Sequence, residues 1–161
     1  MENKPENYIT WIIELNSEDV STDNYIPILG NGGLFDYSYN FFSLNKSKIS
    51  RIILDSTEIN LDDGKINQIY YPHEFSIFCI PIKTTGKHEI KIYFNNLIDN
   101  LNCSFSSCFY YTELDFSNFN SSKVKDMSHM FHHCKKLRKI NFANFNTSEL
   151  TSMRCMFSFC I

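Results

Sequence analysis

LDFSNFNSSKVKDMSHMFHHCK (Leu114 to Lys135) and INFANFNTSELTSMRCMFSFCI (Ile140 to Ile161) are two copies of one unit, offset by 26 residues. Nine of the 22 aligned positions are identical: Phe116/Phe142, Asn118/Asn144, Phe119/Phe145, Asn120/Asn146, Ser122/Ser148, Met127/Met153, Met130/Met156, Phe131/Phe157 and Cys134/Cys160. A period of about 20 to 50 residues is the signature of stacked repeats, each burying its apolar face against a neighbour. A partial earlier copy precedes the two. Stepping back 26 residues from Met127, Phe131, Cys134 and Leu137 lands on Leu101, Phe105, Cys108 and Tyr111.

Each unit changes period midway. Tyr111, Leu114, Phe116 and Phe119, then Leu137, Ile140, Phe142 and Phe145, place Leu114 and Phe116 two apart, as one face of a short strand requires. Asp115 and Ser117 then face outward, with Asn141 and Ala143 in the next copy. Val124, Met127, Met130, Phe131, Cys134 and Leu137 follow at spacings of 3, 3, 1, 3 and 3, one face of a helix. Leu150, Met153, Met156, Phe157 and Cys160 repeat that pattern. Asn120-Ser121-Ser122 and Asn146-Thr147-Ser148 supply N-cap candidates. The expected unit is a short strand, a polar turn and a short helix. Its core is Leu114, Phe116, Phe119, Met127, Met130, Phe131 and Cys134, then Ile140, Phe142, Phe145, Met153, Met156, Phe157 and Cys160. Stacked units would put parallel strands on one side and short helices on the other.

Residues 1–96 read as a β-rich capping domain, and residues 97–161 as a solenoid of about two and a half repeats. Tyr8 to Leu15 is aromatic and β-branched, a strand; Tyr25 to Leu29 carries Pro27, an edge strand. Gly30 to Gly33 is a turn, and Leu34 to Phe42 is in part a strand. Ile49 to Leu54 and Glu58 to Leu61 pair as a hairpin, and Asp62-Asp63-Gly64 is a tight turn. Lys65 to Tyr71 follows, Pro72 to Glu74 break the pattern, and Phe75 to Ile82 is a buried strand. His88 to Phe94 alternates, with Ile90, Ile92 and Phe94 opposite Glu89, Lys91 and Tyr93. Short strands at this spacing suggest a small sandwich. No Gly/Pro/Ser-rich linker separates it from the repeats.

The 161 residues are 43% hydrophobic and 16% aromatic, with 15 Phe, so the chain can bury a sizeable core. A net charge of −3 gives no basic field for nucleic acid. No signal peptide is visible, and the longest apolar run, Phe75 to Ile82, is too short to span a bilayer as a helix. The compartment stays open, cytoplasmic by default. Cys108, Cys134 and Cys160 occupy one repeat position, which favours a column of small buried thiols over disulfides.

Candidate chemistry is sparse. His129, His132 and His133 beside Cys134 suggest a metal site, but residues in stacked repeats point in parallel rather than converge tetrahedrally. The reading is no metal, no cofactor and no catalytic residues. Lys135 to Lys139 is a solvated connection around Leu137.

The LDFSNFNSSKVKDMSHMFHHCKKL stretch resembles the BspA-like leucine-rich-repeat surface proteins, whose repeats read L-x-L-S-x-F-x-T-S-x-V-x-x-M-x-x-M-F-x-x-C-x-x-L. The resemblance covers Leu114 to Ile161 well and Leu101 to Glu113 weakly. It implies a non-enzymatic repeat surface used for adhesion or protein–protein contact, and a cell-surface location on a host or self partner. Phe119 and Phe145 stand where ordinary leucine-rich repeats place a ladder asparagine, so Asn118, Asn120, Asn144 and Asn146 become the candidates for satisfying the turn. The expected binding face is Asp115, Ser117, Asn141 and Ala143. The alternatives are a self-assembling structural protein, associating through an uncapped last repeat, or a fragment of a longer array; a Cys/His metal protein ranks behind both.

Overall fold

YITWIIEL alternates apolar and mixed positions, and Ile9, Trp11, Ile13 and Leu15 all turn inward at 2% exposure or less. That segment, β1 (Tyr8–Leu15), is an interior strand of the main sheet. The computed structural model describes residues 6–20, 25–29, 48–61, 67–71 and 75–161, with 25–29, 67–71, 75–79 and 81 described by backbone alone. The further strands are β2 (Tyr25–Leu29), β3 (Ile49–Leu54), β4 (Thr57–Ile59), β5 (Asn67–Tyr71), β6 (Phe75–Pro81), β7 (Gly86–Phe94), β8 (Tyr111–Asp115) and β9 (Lys139–Asn141). A six-stranded mixed sheet runs β4-β3-β7-β1-β8-β9, and a three-stranded sheet runs β2-β6-β5. The fold is mainly β. The readings at Gly30 to Phe42, Asp62 to Gly64 and Pro72 to Glu74 lie outside the described residues.

Several elements fall where their residue patterns place them. β2 carries Pro27 and sits at a sheet edge, where a missing N–H costs no ladder bond. β3 and β4 form the hairpin, but its turn is two residues long, and Thr57 already belongs to β4. Asp55 and Ser56 have φ of +47° and +71°, the left-handed pair that a tight hairpin turn demands. Asp55 is held there by His88, whose Nδ1 lies 2.6 Å from the carboxylate, and by the Glu89 N–H at 2.8 Å.

The sheet does not stop where the composition changes near residue 96. β1 pairs antiparallel with β7 on one side and with β8 on the other. β8 pairs parallel with β9, Leu114 opposite Ile140 and Asp115 opposite Asn141, which is the 26-residue repeat seen as strand register. Trp11 packs edge-on against Phe105 at 5.3 Å and lies 5.1 Å from Tyr111, so the first unit and β1 share one core.

The expected helices are absent: among the described residues there is no α-helix. Residues 101–108, 127–134 and 153–160 run instead as successive turns. His129 and His133 have φ of +54° and +61°; Cys103 and Ser107 (+56°, +58°) and Cys155 and Phe159 (+53°, +60°) repeat this one unit away. A left-handed residue every fourth position cannot continue a right-handed helix. The backbone bonds alternate accordingly. Met130, His132 and Cys134 N–H close local turns onto Met127, His129 and Phe131 oxygens. Met127, His129, Phe131 and His133 N–H reach the next unit, at Ser152, Arg154, Met156 and Ser158 oxygens, 2.8–2.9 Å away. A short isolated helix is marginal in water. The turn ribbon gives half its donors to a neighbour and keeps every second one local. Its inward positions fall at nearly the same spacing as a helix face, which is why the pattern misled.

The corners of each unit are Asx turns. Asn100 and Asp126 carboxamide or carboxylate oxygens accept the N–H two residues on at 2.7 and 2.8 Å. Asp115 and Asn141 do the same for Ser117 and Ala143 at 2.8 and 3.0 Å. Asn120 and Asn146 do so for Ser122 and Ser148 at 3.1 and 2.8 Å. These side chains mimic a backbone turn, so no helix need follow the N-cap-like triplets. Asn144 bonds the Ser117 oxygen of the preceding unit at 3.0 Å.

Inside, like stacks on like. Phe105 on Phe131, Phe131 on Phe157, Phe116 on Phe142 and Phe119 on Phe145 lie 5.6, 5.3, 5.1 and 6.0 Å apart, all near-parallel. The Cys134 and Cys160 thiols donate to the Phe105 and Phe131 oxygens of the preceding unit at 2.9 and 2.8 Å. The described cysteines, Cys103, Cys108, Cys134, Cys155 and Cys160, are free thiols.

Candidate functional site

Side chains that alternate away from the core form one broad polar face across the six-stranded sheet. Strand register assembles its rows. Ile53, Lys91, Thr10, Asp115 and Asn141 make one, and Glu89, Ile12, Glu113 and Lys139 another. Tyr93 stands between Arg51 and Tyr8 in a third. A shallow depression of about 260 Å³ among Thr10, Ile12, Glu89, Glu113, Asp115, Lys139 and Asn141 marks the middle of the face. Two of its three carboxylates are paired: Glu89 with Lys91 at 2.8 Å and Glu113 with Lys139 at 3.4 Å. The Glu89 hydrogen bond pushes the Lys91 amine upward, against a small desolvation cost. Exposed pairs of this kind contribute about 0–1 kcal/mol each. They leave the surface able to exchange partners.

Asp115 and Asn141 therefore lie inside this face, and the Asn141 amide donates to Asp115 at 3.0 Å. Both are half-buried and committed to Asx turns, so they shape the surface more than they offer free groups. Ser117 and Ala143 are not strand positions: β8 ends at Asp115 and β9 at Asn141. They follow in the turns, at the rim of the face. Thr10, Ile12, Lys91, Glu89, Glu113 and Lys139 were missed as site residues. The alternation in HEIKIYF already put Glu89 and Lys91 on the outer side; what the repeat could not reveal was that β1 pairs β8 and so joins them to Asp115.

At the rim the face opens into a groove of about 710 Å³, lined by Glu6, Asn7, Arg51, Tyr93, Asn95 and Asn118 among others. The Arg51 guanidinium stacks 3.9 Å over the Tyr93 ring and bonds Glu6. Asn7 accepts the Asn120 N–H at 2.7 Å, pinning the first Asx corner to the strand that enters β1. The lining combines amides, two serines, one guanidinium and one carboxylate with aromatic rings and Leu97, which is 43% exposed, a set suited to hydrogen bonding and stacking.

The histidines form an aromatic cluster on the turn-ribbon side. His132 and His133 lie 4.3 Å apart, and Phe159 stacks on His133 at 4.7 Å. Burial lowers both imidazoles; His133 and His129 lower His132 further, and Lys135 lowers His133. Among the described residues, no group of three or more His, Cys, Asp or Glu is placed to hold a metal ion. No helix among them is long and apolar enough to cross a membrane. In the repeat core, Met153 and Phe157 are 58% and 50% exposed, whereas Met127 and Phe131 one unit back are 3% and 0%. Packing from one side only explains the difference.

Residues 82–161 match the model of a family described as Mycoplasma protein of unknown function, DUF285. The match takes in β7, β8, β9 and every turn-ribbon segment, and leaves β1 to β6 outside it. No curated protein and no solved structure matches the chain.

Proposed function

We propose that this chain is a non-enzymatic protein-interaction or adhesion module of the BspA-like leucine-rich-repeat type. In this reading a small β-sandwich-like region caps a short solenoid, and the outer face of the six-stranded sheet meets a protein partner. One observation carries it: the parallel β8–β9 pair extends the antiparallel sheet of residues 8–94, giving a single face six strands wide. Such a face is polar, carries two exposed ion pairs and is rimmed by a groove holding several amides, which suits a wet, exchangeable protein contact. The BspA-like resemblance of Leu114 to Ile161 supports the same class.

The test is a surface variant that keeps the core and the Asx acceptor side chains: Lys91→Glu, Glu113→Lys, Ser117→Arg and Ala143→Arg together. Native circular dichroism and an unchanged unfolding midpoint establish that the fold is intact. Binding of proteins retained by the parent should weaken at least about tenfold, a change of about 1.4 kcal/mol. Equal retention of every ligand by parent and variant removes this face as the site.

A further inference from the structure

The groove at the rim lies across one end of the six-stranded sheet. Asn7 leads into β1, Arg51 sits near the start of β3, Asn95 and Asn96 follow β7, and Asn118 follows β8. Main-chain groups at this end pair with one another. The Asn7 oxygen accepts the Phe94 N–H at 2.9 Å, the Asn118 oxygen accepts the Tyr8 N–H at 3.2 Å, and the Asn95 N–H donates to the Lys48 oxygen at 2.9 Å. A ligand here therefore meets side chains, and five of the lining residues are asparagines. Two of these are fixed: Asn7 Oδ1 accepts the Asn120 N–H at 2.7 Å, and the Asn95 amide donates to the Ile49 oxygen at 3.2 Å. Asn96 and Asn118 are exposed, and among the described residues no bond engages the Asn96 carboxamide or Asn118 Oδ1.

The lining lacks what the recurring ways of holding a peptide require. β1, β3, β7 and β8 each have a partner strand on both sides, so no strand edge is open here for an added strand. Leu97, at 43% exposure, is a single apolar contact, whereas a docked helix needs a row of anchors. Tyr93 is 9% exposed, with the Arg51 guanidinium 3.9 Å over its ring and Tyr8 at 4.8 Å, so it offers no open face to a proline. Arg51 is paired with Glu6, which cancels its charge and leaves no cationic cluster for an acidic or phosphorylated motif. What is left is an uncharged set of amides beside one apolar side chain. A carboxamide both donates and accepts, so it can hold the N–H and C=O of an acetamide, or two neighbouring hydroxyls.

We propose that this groove binds a short, uncharged oligosaccharide carrying acetamido groups. Asn96 and Asn118 supply the paired donors and acceptors, and Leu97, the residue after Asn96, takes the acetyl methyl. The volume of about 710 Å³ falls within the range of about 300–1,000 Å³ typical of ligand clefts. Asn7, Asn95 and Arg51 are already held by the protein, so binding orders few side chains anew. The proposal goes beyond the protein contact across the sheet face and does not rest on it.

The probes are the linear trimers of N-acetylglucosamine and of N-acetylgalactosamine, titrated into the labelled full chain, with maltotriose as the sugar that lacks acetamides. At least one trimer should shift the Asn96 and Asn118 side-chain amide signals saturably, with Kd about 1 mM or tighter, and maltotriose should bind at least about tenfold more weakly. Asn96→Ala with Leu97→Ser, and separately Asn118→Ala, change exposed side chains; each should weaken binding at least about tenfold with native circular dichroism. Coupling the trimer to albumin by its reducing end reads the source: retained affinity identifies a conjugated glycan, and lost affinity a free one. No shift with either trimer at about 10 mM overturns the proposal. Equal binding of maltotriose overturns the acetamide assignment, and unchanged affinity in both variants overturns the groove as the site. A pool of extended peptides that shifts the same amides while both trimers stay silent overturns it in favour of a peptide.

Discussion

Phe105, Phe131 and Phe157 occupy one column, and truncating each to alanine reads the stacking directly. Phe131 is fully buried, with Phe105, Phe116, Phe142 and Phe157 rings 5.3–6.5 Å away. Phe131→Ala removes the ring and leaves a cavity walled by those rings, which costs about 3–5 kcal/mol. Phe157 stacks on Phe131 by one face and is 50% exposed. About half of the usual burial term, roughly 1–1.5 kcal/mol, is lost in Phe157→Ala, and no closed cavity forms. With a urea slope of about 2 kcal/mol/M, the midpoint should fall by about 1.5–2.5 M for Phe131→Ala and by about 0.5–0.7 M for Phe157→Ala. Phe105→Ala, also fully buried and against Trp11, should behave as Phe131→Ala does. Equilibrium unfolding followed by Trp11 fluorescence, with the slope unchanged, is the assay. Equal losses at Phe131 and Phe157 would refute the reasoning, because the outer unit would then be as enclosed as the middle one.

Asp115→Ala deletes the acceptor for the Ser117 N–H and the Asn141 amide and should cost about 1–2 kcal/mol, while Asp115→Asn, which keeps an acceptor oxygen, should cost less than half of that in the same unfolding assay. Alkylation at pH 8, mapped by mass, should label exposed Cys155 first and Cys103 and Cys134 last, because burial pushes the Cys103 thiol up to about 11 and the Cys134 thiol higher still; Cys134 labelling at the rate of Cys155 would contradict the buried thiol column. The lowered imidazoles of His132 and His133 bind protons less readily folded than unfolded, so their contribution is intact above about pH 6.5 and is lost as pH falls through their folded values. The thermal midpoint should therefore drop as pH falls below about 6.5, and His132→Gln with His133→Gln should flatten that drop; an unchanged slope in the double variant would exclude them as its source.

The repeat was legible because identity recurs at one spacing, and Leu114 opposite Ile140 in the parallel register is that spacing made physical. The strand Tyr8–Leu15 was legible from its aromatic and β-branched residues, and the strand over His88 to Phe94 from its alternation, though β7 begins two residues earlier, at Gly86. The turn ribbon was not. Val124 to Leu137 carries the inward spacing of a helix, and nothing in apolar periodicity records the sign of φ at His129 and His133. The bonds that favour the ribbon lie between units, beyond the reach of a local window. The same limit hid the outer face: Asp115 and Asn141 were found from the repeat, but their neighbours Thr10 and Lys91 come from segments with no repeat at all, brought alongside only by β1. The polar triplets at Asn120 and Asn146 were legible as chain-direction changes, but they close Asx turns rather than start helices.

The stacked turn ribbon holds the repeat units together, and scalar couplings across hydrogen bonds test it most directly. In uniformly labelled protein, the account predicts N–H to C′ couplings from Met127 to Ser152, His129 to Arg154, Phe131 to Met156 and His133 to Ser158, alternating with local ones from Met130 to Met127 and His132 to His129. Couplings that instead run from each amide to the carbonyl four residues earlier through residues 127–134 would mean a helix, and would contradict it.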